Sequence, residues 1–422
     1  MIRAERWALA SARVMVLSMT NILVRLQDLS RRATASVTPY CRCHQPRRHQ
    51  GGPMQPLFDP ADFRLPPGIA HVCAGGETAA LRAHDEALLR YVADKSTGMA
   101  GRDAQDAEIE AARAGMARLW NVNAGDIGFV GNVAEGVSIV AESLDWRDGD
   151  SIAIDANEYP SVVTPIAMRR APVIALRQAQ GMEPNRLAAC VDGSTRIVAA
   201  SYVSYLTGER VDLHALRRLA DSVGALLVVD FTQASGYLPI EASVADFAFS
   251  ACYKWMLGVT GVAVAYWNCQ RQPDWVPASA GWFSLAPGSR GYDPLPALRP
   301  DAMRFTRGNP AHCPIYVLNS ALSYLSRFDM RDVQRHVQTL TVALLDELAA
   351  AEVEVMTPRD PDRHGASVCI ASPRAQAVVD ALHARGVYAW NGQGRVRISF
   401  HGYNGMDDVD RTAEALRACL IS

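Results

Sequence analysis

Seven short apolar runs, separated by stretches of helical periodicity, restrict the folds open to this chain more than any other feature of its sequence. The runs fall at 127–130, 151–155, 173–176, 197–203, 225–230, 247–251 and 261–267, and many of their residues are β-branched. Apolar spacing near 3.6 marks helices at about 77–94, 104–120, 134–144 and 212–223. Continuous apolar strands alternating with helices read as an α/β fold, a mainly parallel sheet covered on both faces. From about residue 311 the pattern changes to two long helices, 312–328 and 331–350, followed by short strands and helices. That suits a smaller α+β domain. The expected organisation is an N-terminal arm at 54–76, a large domain at 77–310 and a small C-terminal domain at 311–422. The stretch 273–300, rich in Pro, Gly and Ser, forms a long loop, and such loops more often serve function than idle.

Residues 1–53 are different material. They hold nine Arg against Glu5 and Asp28, so the rest of the chain is net acidic although the whole carries only −2. The apolar stretch 7–24 is interrupted by Arg13, which weakens a membrane span. We expect 1–53 to be a disordered or spuriously translated extension, with Met54 as a candidate start and an organelle presequence as the competing reading. Cys41, Cys43 and His44 match no zinc spacing, so no metal is expected. A net charge near zero gives no field for nucleic acid. Nine scattered Cys suit a reducing cytoplasm better than a disulfide framework.

In open α/β sheets reactive groups gather at the carboxyl ends of strands, which directs attention to Asp230, the last residue of ALLVVD. Lys254 follows in the apolar and aromatic run SACYKWMLG. A lysine in such surroundings is costly to keep charged, so its amine becomes available as a nucleophile. An isolated Asp and Lys would more often cap a turn and snorkel outward.

The run Asp230-Phe231-Thr232-Gln233, then Tyr253-Lys254 with Gly258 and Gly261 after it, resembles the cofactor site of the class V aminotransferase family of pyridoxal-phosphate enzymes. The likeness extends over about 75–415 and implies a seven-stranded, mainly parallel sheet sandwiched by helices. It implies a Schiff base between Lys254 and pyridoxal 5'-phosphate, Asp230 on the pyridinium nitrogen and Gln233 toward the phenolic oxygen. Gly131-Asn132-Val133-Ala134-Glu135-Gly136 opens a helix and resembles the family's phosphate loop. Ala134 stands where a hydroxyl residue is usual, so phosphate binding there leans on backbone N–H groups and on other contacts such as Tyr253. Tyr159 matches the residue stacked on the cofactor ring, and Arg397 matches the arginine that holds the substrate carboxylate. Arg395, on the same face by strand alternation but outside the motif, reads as a surface arginine. Trp282 and Asn309 lie in segments that, in relatives, reach the phosphate of a neighbouring subunit, which implies a homodimer. The other partner expected is a small-molecule amino-acid substrate, with no nucleic acid or membrane.

The reaction is less constrained. A desulfurase needs a nucleophilic Cys on a loop just before the carboxylate arginine, and GVYAWNGQGRVR contains none. Kynureninase-like cleavage fits the Tyr-Lys pair and the Gly281-Trp282 segment, but Phe283 and Ser284 occupy the place of that enzyme's His. Aminotransferases and epimerases share proton abstraction by Lys254 and differ in where the proton returns. Aminotransfer is preferred, with epimerisation and kynureninase-like cleavage as alternatives. A scaffold without activity has no need of a Schiff-base lysine. The motifs HExxH and GxSxG, a Walker loop and a dinucleotide fingerprint are absent.

Overall fold

In chain order the fold consists of β1 (Ala70–His71), α1 (Ala83–Ser96), α2 (Arg102–Trp120), β2 (Ile127–Val130), α3 (Val133–Glu142), β3 (Ser151–Asp155), α4 (Pro160–Ala167), β4 (Ala175–Ala179), α5 (Pro184–Ala188), β5 (Thr195–Ser201), α6 (Leu213–Val223), β6 (Leu226–Asp230), β7 (Phe247–Ala251), β8 (Ala263–Trp267), α7 (His312–Leu325), α8 (Met330–Ala350), β9 (Ser367–Ala371), α9 (Ala375–Ala384), β10 (Val387–Tyr388), β11 (Trp390–Gly392), β12 (Arg395–Ser399) and α10 (Met406–Leu420). This computed structural model describes residues 54–168, 173–181 and 183–420. The stretch 7–24 and Cys41, Cys43 and His44 lie outside the described residues. Those that are described belong to one compact unit.

The seven apolar runs all become strands of one sheet, in the order β2-β8-β7-β6-β5-β3-β4. Only β8 runs against its neighbours; the other pairs are parallel. Period-two alternation decides which side each residue covers. Ile197, Ala199 and Val228 join one apolar cluster with Val137 and Val140 of α3 and Ile166 of α4. Val198, Ala200, Leu227 and Val229 join another with α2, α6 and α7 through Met116, Leu216 and Leu318. Both faces are dry, which is why these strands read as continuous apolar runs. The helices begin where local chemistry allows. Asp212 caps α6 by accepting the N–H of Ala215, and Gly224 closes it at φ 71.

Three antiparallel strands, in the order β11-β12-β9, form a second sheet packed against α8, α9 and α10 around Val368, Val396, Leu344 and Leu416. The segment before α1 threads between the two sheets. Phe58 donates to the carbonyl of Gly402, β1 pairs with β10, and Cys73 bridges Ser399. The helix expected from residue 77 begins at Ala83, because 77–82 instead cross the edge of the large sheet, where the Thr78 hydroxyl is taken by the Lys254 carbonyl at 2.9 Å.

Candidate active site

β6 and β7 are parallel neighbours, so their carboxyl ends open on the same edge of the sheet. Asp230 ends β6, and Lys254 stands three residues past the end of β7. Both are buried, at 4% and 6% exposure. The turn after Asp230 packs so closely on the turn carrying Lys254 that a Cβ on Gly236 would lie 2.1 Å from the Trp255 carbonyl oxygen, and Gly236 has φ +110. Glycine is required there on both counts. Burial, reinforced by the charge of Arg397, lowers the Lys254 pKa to about 8 against the opposing pull of Asp230 and Glu77. Burial also raises the Asp230 carboxyl, while two hydrogen bonds from Thr232 and the charge of Lys254 act the other way. The pair is therefore a poorly solvated acid and an amine that gives up its proton more readily than an ordinary lysine.

Tyr159 is the residue preceding α4, fixed there by Pro160 at the first helical position. Lys254 Nζ lies 5.6 Å from the Tyr159 ring centre and 5.4 Å from that of Tyr253. The two rings form walls around the amine, and burial pushes the Tyr253 phenol up to about 12. Glu158, adjacent in sequence, is partly buried. Its carboxylate accepts the N–H of Tyr159 at 2.6 Å and the N–H of Ser201 at 2.8 Å, and it also takes the Ser201 hydroxyl. Burial, with the charge of Asp230 adding to it, raises Glu158 to about 7 in spite of those donors.

Arg397 approaches from the second sheet. It is 3% exposed, gives one N–H to the Tyr205 carbonyl at 3.0 Å and stacks 4.4 Å from the Trp390 ring centre, while its Nε has no partner. Desolvation lowers its pKa. Arg395 corrects the sequence reading, because it is fully buried rather than a surface arginine. β12 is the central strand of its sheet, and the inward face that holds Arg397 holds Arg395 too, capped by the Tyr205 and Trp390 rings, each 5.1 Å from the guanidinium carbon.

The segment Cys73–Thr78 closes this space. Gln233 donates to the Gly75 carbonyl at 2.9 Å and accepts from the Trp255 indole at 3.0 Å, so both ends of its amide are engaged. A Cβ at Gly75 would lie 2.7 Å from Ser399 Oγ, 3.2 Å from Arg397 Nε and 3.2 Å from Gln233 Oε1. Cys73 is partly buried beside Trp390, with its thiol turned toward the N–H groups of Gly76 and Glu77 and raised in pKa by burial.

Asn132 caps α3 by accepting the N–H of Glu135 at 2.9 Å, and Glu135 in turn accepts the N–H of Gly131 at 2.7 Å. The N–H groups of Val133 and Ala134 head the helix. The structure thus brings Lys254, Asp230, Gln233, Tyr159, Tyr253 and Arg397 together. It gives Trp282, which is 60% exposed, and Asn309, which accepts from Arg102 at 3.2 Å, no contact with that group. Sequence reasoning missed Glu158, the Gly75–Thr78 crossing, Trp390 and the burial of Arg395. The doubled glycine of CAGGET was the available signal for the crossing. A surface groove of about 1460 Å³ between Arg118, Tyr202, Arg210 and Phe328 includes none of these residues.

A family model, Aminotransferase class-V, matches residues 78–412. A probable cysteine desulfurase of Methanothermobacter thermautotrophicus is 26% identical over 342 residues, 73% of this chain and 83% of that protein. A kynureninase of Pseudomonas fluorescens is 29% identical over 213 residues, 48% of this chain and 50% of that one. Among solved structures, an apo cysteine desulfurase from Thermococcus onnurineus NA1 superposes with a TM-score of 0.76 at 21% identity, covering 85% of this chain and 96% of its own. A C-DES mutant with glycine covalently linked to its PLP cofactor gives 0.77 at 21% identity, covering 85% and 99%.

Proposed function

The chain belongs to the class-V aminotransferase family, and on that premise we propose that it is a pyridoxal 5'-phosphate enzyme that transforms an α-amino acid, with aminotransfer as its reaction. The observation that carries the proposal is a buried lysine whose pKa is lowered to about 8, walled by Tyr159 and Tyr253 and flanked by Asp230 and by an arginine with an unpartnered Nε. These residues fit the cofactor. Lys254 would hold it covalently, Tyr159 would face its ring, Asp230 its ring nitrogen and Gln233 its phenolic oxygen, with Asn132, Val133, Ala134 and Tyr253 at its phosphate. Bound there, pyridoxal phosphate supplies an electron sink for the pair released when a bond at the α-carbon breaks. Arg397 would orient the substrate carboxylate through its free N–H groups, and Lys254 would take and return the α-proton.

Desulfurase chemistry lacks support because β11 and β12 are joined by Gln393 and Gly394 alone, and Cys369, paired in register with Arg397, is fully buried. A second copy of the chain is supported by apolar side chains left open on and just after α1, Leu89 at 70% and Met99 at 78%, and in the long loop, Tyr292 at 81% and Leu295 at 89%. Trp282 and Asn309 would then serve the partner's site. All seven described cysteines are free, which supports a reducing, cytoplasmic setting. No described helix is long and apolar enough to cross a membrane.

The test is single turnover across amino acids on cofactor-loaded protein. Release of a keto acid supports aminotransfer, whereas racemised or fragmented substrate would assign the epimerase or kynureninase-like alternative. Absence of a visible cofactor band, or its persistence in Lys254→Ala, would overturn the proposal.

A further inference from the structure

Arg395 and Arg397 are successive inward residues of β12, buried at 0% and 3% exposure. Arg395 donates to the carbonyls of Gly392 and Tyr205, and Arg397 shares the Tyr205 carbonyl. Neither forms an ion pair among the described residues, and each keeps a buried Nε–H without an acceptor. The orphaned Nε is shared by Arg217, but other buried arginines have a carboxylate or a full set of acceptors for their charge. Arg113 meets Asp301 and Arg217 meets Asp246. Arg304, which lacks a carboxylate, spends its Nε and both terminal nitrogens on the carbonyls of Arg299 and Trp275.

Two adjacent buried cations repel each other, and desolvation without a counter-charge makes the arrangement strongly unfavourable. The groups packed on the pair include the Trp390 and Tyr205 rings, two carbonyls, the thiols of Cys369 and Cys73 and the Tyr159 phenol, whose pKa burial also raises. Burial raises both thiols, so they stay neutral and offset neither charge. A ligand with one carboxylate matches one guanidinium and leaves the other uncompensated. We infer that this site takes an amino diacid, with its α-carboxylate on Arg397 and a second carboxylate answered by Arg395. The inference rests on the amino-acid reading above and adds the substrate class to it.

The test separates the two. Melting of the wild-type protein without added cofactor is followed with succinate or glutarate and, at matched ionic strength, with propionate or butyrate. Preferential binding to the folded state raises the melting temperature by mass action. The dicarboxylates are expected to bind roughly ten- to a hundredfold more tightly, the value of one charge-assisted contact. Equal stabilisation by both classes overturns the inference, whatever the cofactor experiments show. On loaded enzyme, kcat/KM for aspartate and glutamate should exceed that for alanine and norvaline, and Arg395→Gln should collapse the ratio while the visible cofactor band remains. If Arg395→Gln lowers both classes alike, Arg395 is a positioning residue for Tyr205 and the diacid assignment falls. Should that variant fail to fold, the wild-type comparison of dicarboxylates and monocarboxylates decides alone. Absence of the cofactor band with a preserved dicarboxylate preference would sink the enzyme reading and leave the anion site standing.

Discussion

Glu158 accepts the backbone N–H of Ser201 at 2.8 Å and takes its hydroxyl as well, and Ser201 is paired in register with Asp230. One carboxylate therefore ties the loop that presents Tyr159 to the strand beside Asp230. It stays partly buried next to a second acid, which is why its pKa rises to about 7.

That shift has a thermodynamic consequence. A carboxyl titrating near 7 in the folded protein and near 4.5 unfolded favours folding most below pH 4.5, and the contribution is lost as pH rises to 7. The loss is at most ~3 kcal/mol. Glu158→Gln should flatten the fall of stability between pH 4.5 and 7, read from urea melts at several pH values. A wild-type-like slope in the variant would show that another group carries the titration.

Gly75 predicts a steric effect. A methyl group there meets Ser399, Arg397 and Gln233 at 2.7, 3.2 and 3.2 Å. Two of those partners are proposed to serve substrate and cofactor. Gly75→Ala should cost roughly 1–3 kcal/mol of stability through overpacking and raise KM for the amino acid more than it lowers kcat. Unchanged KM and stability would mean that the crossing segment yields easily.

The Lys254 amine yields a prediction in pH. With a pKa lowered to about 8, the free base is a sizeable minority at neutral pH. The rate of cofactor attachment, followed by its visible band, should rise with pH and level off above about 8. Removing the buried cation also removes its desolvation cost, so Lys254→Met should stabilise the cofactor-free protein at pH 6 by up to ~3 kcal/mol. A destabilised, well-folded variant would contradict the assigned pKa.

How much of this was legible beforehand depends on which force placed each residue. The strands of the large sheet were readable because both faces are apolar, so hydrophobicity alone marks them, as at Leu226–Asp230. α4 was not, since its β-branched residues and internal Pro165 argue against a helix that tertiary packing of Val162 and Ile166 nonetheless holds. Asp230, Lys254, Tyr159 and Arg397 were named from their motif setting; the structure puts the first three at the carboxyl edge of the large sheet, with Arg397 reaching toward them from the second sheet. Trp390, Glu158 and the Gly75 crossing were not assigned roles, because each gains its place from contacts across more than 40 residues of sequence, such as Glu158 with Ser201, which no local period encodes.

Arg397 links the proposed substrate site to the lysine. Its charge helps depress the Lys254 pKa, so a neutral replacement favours the ammonium form and moves the attachment profile upward. Arg397→Gln should therefore shift the pH midpoint of cofactor attachment above 8 while keeping the visible band once formed. Arg397→Lys preserves the charge but loses the planar fork. Its midpoint should stay close to that of the wild type, yet kcat/KM for the amino acid should fall roughly 100-fold, because a bidentate carboxylate contact is replaced by a point charge. The two variants thus separate electrostatic tuning from carboxylate recognition. An Arg397→Lys enzyme with undiminished kcat/KM would show that the carboxylate is held elsewhere.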